Sequence, residues 1–346
     1  MNEKVLVVGA GHQGVAMAAH LALNGVEVNM WNRSQNTIKE IQATREITCV
    51  GCVEGQAKIN AVSTNIEDVL EKVILVTTPS TAHKDLARML APVLLPNSIV
   101  VLNPGRTFGA LEFVEELKRH DCKNIPLVAE TQSIIYTCRK ADAGTACIFA
   151  LKDDIKMACV NGGIEDVRKC IPMCIRNRFA YIDNFLETSL SNIGMILHCA
   201  PVLLNIGWIE SPIHEFEYYY DGISPSIASI LEKMDQERLN VAAKLGVKVE
   251  SLVEWFESAY GVKETSIYDC IQKNESYRGI DAPLTLNHRY LDEDVPNGLV
   301  PIEYLGIKNE VDVSTITQII DLAILVKAVD YRKYGRRFDV IRDIER

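Results

Sequence analysis

The segment "EKVLVVGAGHQGVAMAAHLALNG", residues 3–25, limits what this chain can fold into more than any other. An apolar run with β-branched residues leads into Gly9, Gly11 and Gly14, and a helical apolar pattern then continues to Asn24 and Gly25. This is a strand, a glycine turn and a helix. Gly9 permits a tight turn, Gly11 leaves room for an anion beside the backbone, and Gly14 lets the helix pack closely on the strand. The start of the helix, with His12 and Gln13 between the glycines, then faces the anion with its unpaired N–H groups. A G-x-G-x-x-G spacing in that context is the fingerprint of a dinucleotide site.

Further apolar strands are expected at "VEVNMW", "VILVTTP", "SIVVLNPG" and "IPLVAET", separated by helix-like segments such as "NIEDVLEKV", "TAHKDLARMLAPVL" and "ALEFVEELKRH". Such alternation specifies an α/β Rossmann-type, doubly wound parallel sheet. Ligands bind such sheets beyond the carboxyl ends of the strands, which places Thr78 and Pro79 of "TTPS" and Asn103, Pro104 and Gly105 of "NPGR" at the cofactor. The second strand leads into Asn32, Arg33 and Ser34, where an NAD enzyme usually carries an acid for the ribose 2′-hydroxyl. An arginine with short polar neighbours suits a 2′-phosphate, so NADP(H) is favoured and NAD(H) remains possible.

After "RFAYIDN" the alternation stops and long helical segments take over. The expected organisation is therefore a nucleotide-binding domain over 1–184 and a mostly α-helical domain over 185–346, packed with a cleft between them. At 346 residues the chain exceeds the size of one ordinary core. The net charge of −10 excludes a general attraction to nucleic acid or anionic lipid, and no apolar run reaches the length of a membrane span. "MNEKVLVVGA" lacks a signal-peptide layout, and the ten cysteines lie mostly among apolar neighbours, so reduced thiols and a cytoplasmic location are expected. Cys49 and Cys52 have redox or zinc spacing, but no second close pair follows, and no metal site is expected. Where a chain of this kind assembles, a homodimer is the commonest arrangement.

One histidine invites chemistry. In "SNIGMILHCAPVLLN", His198 sits in a run that otherwise reads as buried, and a lone histidine there is more often a core residue than a catalyst. Pro201 cannot donate to the carbonyl of Leu197, so a break or kink is expected beside it. His20, His83, His120, His214 and His288 read as structural, with His83 and His120 on solvent-facing segments. "LNHRYLDEDVPNGLVP", with Arg289, Asp292, Glu293 and Asp294 ahead of Pro296, reads on charge density alone as a solvated loop.

"ETQSIIYTCR", "SNIGMILHCAPVLLNIGWIE", "FEYYYDGISPSIASILEKMDQERL" and "HRYLDEDVPNGLVP" occur in order over nearly the whole chain and together resemble the octopine/nopaline (opine) dehydrogenase family. The resemblance implies a Rossmann domain joined to a helical domain, and reductive condensation of an amino acid's amino group with an α-keto acid such as pyruvate. It implies a catalytic His198 paired with Asp294 of an Arg-Tyr-x-x-Glu-Asp motif, in which Arg289 is the arginine. It also implies that Asn192, Glu130 and Thr131 lie near the keto-acid and nicotinamide pocket. The chain departs from the family pattern at Cys199, where a proline is expected.

Chemically, an imidazole that titrates near neutral pH can protonate the oxygen that leaves during imine formation, and a carboxylate on its other nitrogen fixes the tautomer. Arg289 has the planar fork that grips a substrate carboxylate. Two alternatives stay open. A ketopantoate- or glycerol-phosphate-type dehydrogenase would use a helical-domain lysine, which "FLETSLSNIGMILHCAP" lacks. A non-catalytic NADP-responsive binding protein would keep the fold without the chemistry.

Overall fold

The computed structural model describes residues 3–142, 144–212 and 215–339. The chain divides into two compact units, Met1–Ser189 and Leu190–Arg346. Sequence reasoning placed the boundary at Asn184; the division falls inside the helix Phe185–Leu190.

The first unit opens with β1 (Lys4–Val8), α1 (His12–Leu23), β2 (Glu27–Trp31), α2 (Gln35–Thr44), β3 (Glu46–Gly51), β4 (Gly55–Lys58) and β5 (Ala61–Ser63). It continues with β6 (Val73–Val76), α3 (His83–Leu90), β7 (Ile99–Leu102), α4 (Gly109–Arg119) and β8 (Leu127–Thr131). Four more strands complete it: β9 (Tyr136–Asp142), β10 (Thr145–Leu151), β11 (Ile155–Cys159) and β12 (Phe179–Tyr181). The main sheet has the order β12-β11-β8-β7-β6-β1-β2-β5, parallel at every step except β8 to β11. Alternate residues of β1 serve opposite faces: Val5 and Val7 join a core with α1, while Leu6 and Val8 join one with α3 and α4. Burial on both faces is why the strand reads as a continuous apolar run.

From β1 the chain moves outward to β2 and β5, then returns to place β6 on the other side of β1. That reversal opens a crevice beyond the ends of β1 and β6, the place where such sheets hold ligands. A smaller sheet, β4-β3-β10-β9, was not foreseen. Its strands are short and half exposed; β9 reads "YTCRKAD", with mostly polar residues and no apolar run to announce it.

The second unit is helical apart from short connections. Its long helix Pro225–Lys244 starts at Ser224, whose side chain accepts from the Ile227 N–H, with proline at the first helical position. Within it Arg238, fully buried, bonds Asp235 at 2.7 Å and the carbonyls of Leu190 and Glu250. Among the described residues no helix is long and apolar enough to cross a membrane.

Candidate active site

The glycine turn shows three different reasons for three glycines. Gly9 has φ +106°, a conformation that side chains rarely adopt. A Cβ on Gly14 would stand 1.9 Å from the Gly9 carbonyl oxygen, so helix and strand could not meet as they do. Around Gly11 a Cβ would meet nothing within 4 Å. The protein itself leaves that volume open at the start of α1, whose first turn holds no acidic side chain. Two buried polar atoms beside the turn, Gln13 Oε1 and Thr78 Oγ1, find no partner among the described residues. Open space, an uncapped helix start and the unspent Thr78 hydroxyl fit a dinucleotide pyrophosphate.

Asn32 ties this corner together: its Oδ1 accepts the Ala10 N–H at 3.1 Å and its Nδ2 donates to the Ser34 carbonyl at 3.1 Å. Arg33 and Ser34 are exposed beyond it. His12 accepts the Lys140 N–H on Nδ1 at 2.8 Å, and Gln13 donates to the Tyr136 carbonyl at 3.3 Å. Thr78 and exposed Pro79 follow β6, where the Thr77 hydroxyl donates to the Val8 carbonyl at 2.8 Å.

The turn after β7 is held from below. Asn103 is buried and donates to the Val101 carbonyl, Pro104 follows through a cis bond, and the Gly105 N–H donates to the Thr131 carbonyl at 3.3 Å. Glu130 is fully buried: its Oε2 accepts the Ala110 N–H at 2.9 Å, and its Oε1 accepts the Thr188 hydroxyl at 2.9 Å and the Ser189 hydroxyl. A Cβ on Gly105 would lie 2.4 Å from Glu130 Oε2, so the glycine makes room for the carboxylate. Thr131, also buried, donates to the Leu102 carbonyl at 3.3 Å. The structure thus gathers Asn103, Pro104, Gly105, Glu130 and Thr131 in one packed corner.

In the second unit His198 Nδ1 lies 2.7 Å from Asp294 Oδ2, with 13% and 0% of the two side chains exposed. The imidazole also stacks on the Tyr290 ring, centroids 3.8 Å apart. His198 stands on the helix Gly194–Leu204, which runs through Pro201 instead of breaking there. The reason is Tyr218: its hydroxyl is shared between the carbonyls of Leu197, at 3.2 Å, and His198, at 2.8 Å. It supplies a donor where proline removes one, which lets the turn under His198 persist. Nothing in "EYYYDG" marks Tyr218 for this role, yet Pro201 alone raises the question of what serves the Leu197 carbonyl. Tyr218→Phe is expected to destabilise the protein by about 1–3 kcal/mol, because a buried carbonyl loses its donor. Urea denaturation reads this, and cofactor affinity should not change.

The segment around Asp294 is not a solvated loop. Arg289–Asp292 is a helical turn, Val295–Leu299 a π-turn and Val300–Lys308 a helix, with Glu293 and Asp294 buried. A Cβ on Gly298 would meet Met195 Cβ at 2.6 Å and Asn192 Nδ2 at 3.1 Å. Gly298 therefore lets the π-turn close on the start of the histidine helix, which brings Asp294 to His198. Buried Asn192 stands in the same contact. Arg289, half exposed, pairs through Nε with Glu293 Oε2 at 3.2 Å. Cys199 is buried and its thiol donates to the Tyr290 carbonyl at 3.3 Å. A cavity of about 380 Å³ beside Tyr290 is lined by Asp281, Ala282, Pro283, Leu284, Thr285 and His288.

The remaining histidines differ. His20 is buried against the Tyr136 hydroxyl at 3.0 Å, and burial holds its pKa below the ordinary value. His83 is fully buried, contrary to a solvent-facing reading, because α3 turns it inward. His120 is exposed and contacts Glu116, and His288 accepts the Tyr290 N–H. His214 lies outside the described residues. No disulfide links the cysteines among the described residues, and burial pushes the Cys49 thiol up to about 11.

Comparison with known proteins adds to this geometry. Residues 181–326 match the family described as NAD/NADP octopine/nopaline dehydrogenase, alpha-helical domain, and residues 4–108 match the NAD-dependent glycerol-3-phosphate dehydrogenase N-terminus. The chain is 35% identical to an opine dehydrogenase of Arthrobacter sp. (strain 1C), over 96% of this chain and 93% of that protein. Its fold is similar to octopine dehydrogenase solved with NADH and agmatine: TM-score 0.78, 18% identity, 95% of this chain and 91% of the other. It is also similar to yersinopine dehydrogenase with NADP+ bound: TM-score 0.75, 14% identity, 99% and 97% covered.

Proposed function

Because this chain belongs to the opine dehydrogenase family, NAD(P)-dependent oxidoreductases acting on CH–NH donors, we propose how its own residues carry out the reductive condensation of an amino acid with an α-keto acid such as pyruvate. The observation that carries the reading is the 2.7 Å contact between His198 Nδ1 and Asp294 Oδ2. With Nδ1 committed to the carboxylate, Nε2 is the nitrogen that exchanges protons with substrate. The substrate amine attacks the keto carbon and one of its N–H protons passes to the former carbonyl oxygen; His198 Nε2 then gives its proton to that hydroxyl as the C–O bond breaks, so water leaves and a protonated imine remains. Asp294 stabilises imidazolium while the proton is held. NAD(P)H, when bound, supplies the hydride that reduces the imine carbon. Arg289 holds a substrate carboxylate, and Asn192 lines the reacting end. Glu130 acts through the turn it ties, keeping residues 103–105 in place.

NADP(H) is the preferred cofactor in this reading. Asn32 spends its amide on Ala10 and Ser34, which leaves exposed Arg33 and Ser34 to meet the ribose, and an arginine beside a hydroxyl suits a phosphate. The experiment is NADPH oxidation against a matrix of keto acids and amino donors, repeated with NADH. Turnover should require both a keto acid and an amine, with NADPH the better cofactor. Reduction of a keto acid without any amine would replace this reading with a simple ketone reductase.

A further inference from the structure

Lys140 belongs to β9 of the small sheet, yet its Nζ donates to the Ala10 carbonyl at 3.3 Å and the Thr37 carbonyl at 3.4 Å. Ala10 is the middle residue of the glycine turn, and Thr37 lies in the first turn of α2, just after Arg33 and Ser34. The ammonium therefore stands at the corner where the glycine turn meets the segment that faces the ribose. Its position is fixed: β9 runs along the start of α1, with the Cys138 thiol donating to the His12 carbonyl and the Lys140 N–H to His12 Nδ1.

This ammonium is half buried, and the bonds it makes among the described residues go to carbonyl oxygens, not to a carboxylate. Glu40 and Asp142 are the acids near enough to act on it, and burial outweighs them, holding its pKa below the ordinary lysine value. A partly desolvated cation without a counter-ion is costly, and an anion bound there would offset that cost. Two of its three donors go to long bonds with neutral carbonyls, bonds that a phosphate oxygen outcompetes.

We propose that Lys140 is a second cation for the 2′-phosphate of NADP(H), reaching it from the small sheet while Arg33 reaches it from the end of β2. The inference rests on the NADPH reading above and names a residue that would help set cofactor specificity.

The test is direct nucleotide binding to the full chain without substrates, using NADPH and NADH by fluorescence titration and 2′,5′-ADP and 5′-AMP by competition. Lys140→Met should weaken NADPH and 2′,5′-ADP by about 10- to 100-fold, the worth of a charge-assisted hydrogen bond. NADH and 5′-AMP should change by less than about threefold. Lys140→Arg, which keeps the charge, should retain most of the affinity for NADPH and guards against misfolding of the methionine variant. Equal losses for both nucleotides would assign Lys140 to the pyrophosphate or to the fold, and no loss would leave it outside the site; either overturns the inference. If the unmodified protein prefers NADPH, Arg33→Ala removes that preference and Lys140→Met does not, the inference falls while the NADPH reading stands. If the unmodified protein does not distinguish the two cofactors, the NADPH reading itself has failed, and the role of Lys140 with it.

Discussion

His198→Ala is expected to abolish turnover and to leave NADPH binding unchanged, since the glycine turn proposed to hold the nucleotide belongs to the other unit. Asp294→Asn keeps the shape of the pair and removes the charge that supports imidazolium, so the rate falls by about 10³- to 10⁴-fold. In the proposed mechanism the two residues act as a unit through their 2.7 Å contact, so their losses should not add. The double variant should be scarcely worse than His198→Ala alone. Steady-state kinetics on the four proteins, with NADPH titration and a denaturation curve for each, separates the outcomes. Fully multiplicative losses would sever the pair. A lowered unfolding midpoint with intact specific activity would return His198 to the core residue that its apolar surroundings suggest.

Gly11→Val is expected to fold normally and to lose both NADPH and NADH, by at least about 100-fold. The local conformation, φ −76° and ψ −169°, admits any side chain, and nothing in the protein stands within 4 Å of the new Cβ. Only a bound pyrophosphate would collide with it. Gly14→Val supplies the contrast, because its Cβ would meet the Gly9 carbonyl at 1.9 Å and the helix would have to leave the strand. Thermal melts by circular dichroism should therefore be unchanged for the first and lowered for the second. Ordinary nucleotide titration of Gly11→Val would place the phosphates elsewhere.

The legible parts of this protein were those written in consecutive residues. Gly9, Gly11 and Gly14 lie within one turn, so their spacing carries the geometry, and the strands around Val8, Val76 and Leu102 are apolar without interruption because both faces of the sheet are covered. Strand β9 was illegible for the opposite reason. Its pairing with β10 and its path along α1 leave most of its side chains polar and partly exposed, so no periodicity marks it.

Local rules also failed where a distant residue answered them. Pro201 favours a break or kink in an isolated helix, and the hydroxyl of Tyr218, outside that helix, supplies a donor to the Leu197 carbonyl that Pro201 cannot serve. The charge run at Asp292, Glu293 and Asp294 reads as solvated until Gly298 allows its turn to close on Met195. Spacing alone could not join His198 to Asp294, which lie 96 residues apart; only the family resemblance paired them in advance. The sequence by itself determined the glycine turn and the two-part architecture, because those depend on backbone conformation and on the period of apolar residues over short spans. The tertiary structure alone decided which buried charges meet, what replaces the donor that Pro201 lacks and where the Lys140 ammonium stands, because each depends on a contact between segments whose separation along the chain carries no signal.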